Sequence, residues 1–82
     1  MKHAGPDALD RLALLLASLR EVPGLREKSN GTFYRGSRAF LHFHEDLTGL
    51  FADVRFDDDF ERVRVSTKTE QERLLRRIRA VV

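Results

Sequence analysis

Cysteine is absent from this chain of 82 residues, so it has neither a disulfide framework nor a thiolate metal site, and its redox compartment stays undetermined. Long apolar runs are missing too. The longest, Leu12 to Ala17, is far too short to span a membrane. It also follows Asp7, Asp10 and Arg11 too closely for the apolar segment of a signal peptide. A cytoplasmic protein without a membrane partner is the default expectation. No glycine-rich phosphate-binding loop occurs, and Ser18, Ser29, Ser37 and Ser66 sit in no recognisable nucleophile elbow, which favours a non-catalytic role. Internal repeats and low-complexity tracts are also lacking.

What remains is 41% hydrophobic and 34% charged, the composition of one globular domain with a single core of modest stability. A net charge of +2 and a pI near 9.5 lean toward anionic partners, without the dense basic stripe of a dedicated nucleic-acid binder.

Residues 1 to 6 read as a frayed lead-in. Asp7 is placed to cap a helix from about Ala8 to Glu21, with Leu9, Leu12, Ala13, Leu16 and Leu19 at helical spacing. Val22-Pro23-Gly24 ends it. Leu25 to Asn30 reads as a polar connector, after which Thr32 to Arg35 forms a strand and Gly36-Ser37 a two-residue hairpin turn. Pairing Arg35 with Arg38 then sets Tyr34 beside Ala39 on the core face and Phe33 beside Phe40 on the other.

The stretch Arg38 to Phe56 sorts its side chains by face. With Glu45 opposite Leu50, the pairs Phe43 with Ala52, Leu41 with Val54 and Ala39 with Phe56 give one apolar surface; a one-residue slip would push His42 and His44 into it. His42 then lies opposite Asp53. A further strand, Phe60 to Ser66, is expected over the charged turn Asp57-Asp58-Asp59 with Val63 opposite Val54. That places Arg64 beside Asp53 and Arg62 beside Arg55. The sequence Thr67-Lys68-Thr69-Glu70 matches a capping box for a last helix, about Lys68 to Ala80. This helix buries Leu74, Leu75 and Ile78 and turns Arg73, Arg76, Arg77 and Arg79 to solvent. The expected architecture is α+β: helix, four-stranded antiparallel meander, helix, with both helices on one sheet face.

The opposite face would carry Phe33, Phe40, His42, His44, Phe51, Asp53, Arg55, Phe60, Arg62 and Arg64. An aromatic patch left uncovered marks a surface for a small ligand or a protein partner, including a second copy of the chain. His42 and His44, two apart on one strand, can reach a single divalent metal with Asp53 as a third ligand, the only cofactor the residues suggest, leaving a position open for water or substrate as in a metal-binding protein or a metal-dependent enzyme. Asp53 can equally orient His42 and raise its pKa, or pair with Arg64. The mixture of Phe and Arg also suits single-stranded nucleic acid, although Glu45, Asp46 and Asp57 to Asp59 would repel a phosphate backbone.

The segments Leu19 to Leu25, Arg38 to His44 and Leu50 to Arg55 give the chain a resemblance to small bacterial α+β domains, some carrying a luciferase-family label, and a more distant one to MmcQ/YjbR-like domains. The second likeness rests on a leucine-rich helix ending in Pro-Gly before a meander. It implies a fold of that kind and a possible DNA-binding role, and no reaction.

Overall fold

The computed structural model, which describes residues 1–82, has the element order β1 (Lys2–His3), α1 (Pro6–Arg11), α2 (Ala13–Arg20), β2 (Leu25–Ser29), β3 (Thr32–Arg35), β4 (Arg38–Asp46), β5 (Gly49–Val54), β6 (Glu61–Arg64) and α3 (Lys68–Val81). Strands β2 to β6 form an antiparallel meander in sequence order, and β1 adds to the end of β4 beyond the reach of β3. The class is α+β, with five strands in the meander where four were expected.

The central hairpin has the register that burial selects: Glu45 opposite Leu50, Phe43 opposite Ala52, His42 opposite Asp53 and Leu41 opposite Val54. One further bond in this register, Arg55 N–H to Phe40 O at 2.8 Å, ends the ladder short of the expected Ala39 to Phe56 pair. Leu41, Phe43, Leu50, Ala52 and Val54 join Ala8, Leu12, Leu15, Leu16 and Leu19 of the N-terminal helices and Leu74 and Ile78 of α3 in one buried cluster. The α3 capping box is complete: Glu70 N–H donates to the Thr67 hydroxyl and Thr67 N–H to the Glu70 carboxylate. No helix is long and apolar enough to cross a membrane.

The N-terminal helical region departs from expectation in three ways. Gly5 rather than Asp7 occupies the cap position, followed by Pro6, whose fixed φ suits the first helical turn. The helix is divided at Leu12, with φ −99° and ψ 8°, where Leu12 N–H bonds to Leu9 O in a tightened i to i+3 turn. Its buried stripe is Ala8, Leu12, Leu15, Leu16 and Leu19, while Ala13 is exposed. Nor are the first residues a lead-in apart from the fold, because Lys2 pairs with Glu45, His3 pairs with His44, and Ala4 N–H donates to Phe43 O.

The expected connector after Gly24 is strand β2, joined to β3 through Asn30-Gly31. Gly31 has φ 83°, and a Cβ there would meet Leu9 Cδ2 at 2.8 Å, so glycine is needed for conformation and for space. Glu27 ties this edge strand down. Arg20 Nε donates to its Oε1 at 2.6 Å and Gly31 N–H to its Oε2 at 2.9 Å. The Arg20 hydrogen bond holds the Glu27 carboxyl below the usual carboxylate range. A depressed carboxylate stabilises the fold above its unfolded pKa and ceases to as pH falls through its folded one. Glu27→Ala is therefore expected to cost about 1–2 kcal/mol at neutral pH, and urea titrations should show the difference closing in acid. A cost that did not vary with pH would discard the ion pair as its source.

Two further expected registers differ in the structure. Phe33 pairs with Leu41 rather than Phe40 because an irregularity between Phe33 and Tyr34 leaves Phe40 as an extra residue on β4. Such a bulge switches side-chain parity beyond it. Phe33 and Phe40 are consequently core residues, 0% and 2% exposed, a burial of about 1.5–3 kcal/mol each. Tyr34, expected on the core face, is half-buried beneath the Lys28 ammonium, 4.2 Å from its ring centroid. Between β5 and β6 the pairing is Ala52 with Val63, Asp53 with Arg62 and Phe51 with Arg64, two residues from the expected register. A slip of two keeps every side chain on its face, so alternation cannot detect it.

Candidate metal centre

Alternation along β4 puts His42 and His44 on one face, and pairing on both flanks completes their surroundings. β1 sets His3 opposite His44; β5 sets Asp53 opposite His42 and β6 sets Arg62 opposite Asp53. The imidazoles converge. His3 stacks on His44 with centroids 4.7 Å apart and an interplanar angle of 28°, and His42 meets His44 edge to face at 4.8 Å. One ring nitrogen from each of His3, His42 and His44 lies within 4.8 Å of the others.

His44 Nε2 is 2.8 Å from His42 Nδ1 and 3.1 Å from Asp53 Oδ2. The hydrogen bond from His44 Nε2 is the one shared with His42 Nδ1, its direction set by the tautomer, and the Asp53 carboxylate lies alongside as an acceptor only. His44 Nδ1 is buried and unpartnered. Asp53 is 8% exposed and takes the Arg62 fork, Nε to Oδ1 at 2.8 Å and Nη2 to Oδ2 at 2.9 Å. Hydrogen bonding to Arg62 is the main reason its carboxyl is held below the usual range.

Asp53 was expected to raise the pKa of His42. Asp53 does act in that direction, but burial, followed by the neighbouring His44, outweighs it and pushes His42 below the ordinary imidazole value. The closest carboxylate contact goes to His44, and His42 packs on Phe60 with centroids 4.9 Å apart. A His42 that stays neutral at pH 7 is a competent metal ligand. Beside the rings opens a cleft of about 150 Å³ lined in part by His3, His42, Asn30 and Thr32, large enough for water or a small ligand.

Of the residues expected on this face, the structure groups His42, His44, Asp53, Arg62, Phe60 and Arg55, the Arg55 guanidinium lying 4.4 Å over the Phe60 ring. Phe51, opposite His44, is half-buried. Phe33 and Phe40 are in the core and offer no ring for stacking. Arg64 pairs with Glu70 at 3.1 Å and donates to Thr48 O, leaving Asp53 to Arg62. His3 is the residue that reading the sequence missed: a two-residue strand has no periodicity to find.

Comparison with protein-family models, curated proteins and solved structures returned no match.

Proposed function

We propose that the domain is a non-catalytic binding module for a divalent transition metal, held by His3, His42 and His44 with Asp53 beside them. The observation that carries this is the convergence of three imidazole nitrogens within 4.8 Å around a buried carboxylate. Three imidazoles select zinc, copper or nickel over magnesium or calcium, which want oxygen donors. Zinc bonds nitrogen at about 2.0–2.1 Å, so a tetrahedral site needs ligand nitrogens about 3.3 Å apart. His42 Nδ1 and His44 Nε2 need move apart by only about half an ångström. With Asp53 shared with Arg62, three histidines leave a coordination position facing the small cleft, where a water, a small ligand or a partner's side chain fits.

The reading also takes the helices to lie together on the Leu41, Phe43, Ala52 and Val54 face, leaving the histidine face free. One continuous core cluster supports this.

Calorimetric titration of the metal-free protein with zinc tests the proposal. One zinc per chain is expected, with binding lost in His42→Ala and weakened about ten- to hundredfold in His3→Ala, whose ring stands on a two-residue strand and can be replaced by water or Asp53. Equal zinc affinity in wild type and His42→Ala would sink it.

A further inference from the structure

Away from the histidines, where the β3–β4 turn meets the segment after β5, a cleft of about 270 Å³ is lined by Arg35, Arg38, Phe40, Arg55, Asp57 and Asp58 among others. Arg35, Arg38 and Arg55 take part in no ion pair, as is also true of Arg11, Arg26, Arg73, Arg76 and Arg79, but here three guanidinium groups gather at one cleft and stay unpaired although two aspartates line it. Arg35 and Arg38 are opposed across the hairpin, and Arg35 donates to Val81 O at 3.0 Å. Arg55 is set by its stacking on Phe60, and its buried Nε has no acceptor.

We infer that this cleft binds an oxyanion, the phosphate or carboxylate group of a small molecule, between the guanidinium groups of Arg38 and Arg55 with Arg35 at its edge. The three guanidinium groups outnumber the two aspartates of the lining and are paired with neither, and an arginine fork matches the paired oxygens of either group. The Phe60 ring holds Arg55 in place before the ligand arrives, which reduces the entropy lost on binding. Asp57 and Asp58 exclude larger polyanions by repulsion and leave room for a single charged group. The Phe60 ring that sets Arg55 also packs on His42, so the site adjoins the histidine cluster but uses different side chains to bind.

Proton-nitrogen NMR titration of the metal-free protein with inorganic phosphate, and separately with acetate, at constant ionic strength provides the test. Saturable shifts are expected at residues 38–40 and 55–58, with affinity about tenfold weaker in Arg38→Gln and in Arg55→Gln. Arg38 is exposed, so Arg38→Gln carries the test if Arg55→Gln fails to fold. Saturation by phosphate alone assigns a phosphate ligand, and saturation by acetate alone a carboxylate. No saturation by either, shifts centred on the histidines, or undiminished affinity in Arg38→Gln would overturn the inference.

Discussion

Phe33→Ala is expected to destabilise the protein by about 3–5 kcal/mol, the usual cost of emptying a fully buried phenylalanine site. A domain of this length has a total stability of only about 4–12 kcal/mol, so the loss removes from about a quarter of it to all of it. Phe33 is 0% exposed in the cluster that includes Leu41, its cross-strand neighbour. Phe60→Ala is the matched control. Its ring is 38% exposed and packs on His42 and Arg55 at the surface, so its loss should cost about 1 kcal/mol or less. Urea unfolding followed by circular dichroism measures both, and Phe33→Leu supplies an intermediate point if the alanine variant does not fold. Equal midpoints for Phe33→Ala and Phe60→Ala would mean that β3 and β4 pair without the bulge at Phe40, returning Phe33 to the outer face.

That single position shows where the sequence stops specifying the fold. The β4–β5 register could be read because the two odd-parity alternatives bury different residues, and only one buries Leu41, Phe43, Ala52 and Val54 together. The α3 start could be read because Thr67 and Glu70 have the chemistry of a reciprocal cap. A bulge inserts one residue without changing composition, so Phe33 and Phe40 were assigned by a parity the backbone does not keep. β2 is hidden by its charge: Leu25-Arg26-Glu27-Lys28-Ser29 is an edge strand with little apolar alternation. Its one local signal was Asn30-Gly31, a dipeptide that favours hairpins.

The candidate site divides along the same line. His42, His44 and Asp53 came together through alternation and one well-determined register. The basic partner of Asp53 did not, because exchanging Arg64 for Arg62 is a slip of two that alters no side chain's face. Arg55 to Phe60 take up the difference as a longer connection between β5 and β6. His3 needed knowledge of a contact spanning some forty residues, supported by Gly5 N–H donating to Glu45 Oε2 at 2.6 Å. Nothing local in Lys2-His3 points to β4.

Zinc at one hundred times its dissociation constant is expected to add about 2.7 kcal/mol to the stability of the folded state, raising the unfolding temperature by roughly 10–20 °C for a domain of this size. The gain should vanish in His44→Ala and with a chelator present. Asp53→Asn should keep part of it: the amide preserves the shape beside His44 but removes the negative charge near the ion, and losing a supporting carboxylate weakens metal sites about ten- to hundredfold. The pH dependence has a definite sign, since zinc takes only neutral imidazoles and protons compete with it. Burial lowers the pKa of His42, so this ring remains available to somewhat lower pH than a free histidine, and the zinc-induced shift should shrink as the solution is acidified through the imidazole range. Differential scanning calorimetry of wild type, His44→Ala and Asp53→Asn, each with and without zinc at several pH values, reads all of these together. An unfolding temperature that zinc leaves unmoved in the wild type at neutral pH, or moves equally in His44→Ala, would leave the three rings as a packed cluster that holds β1 against β4.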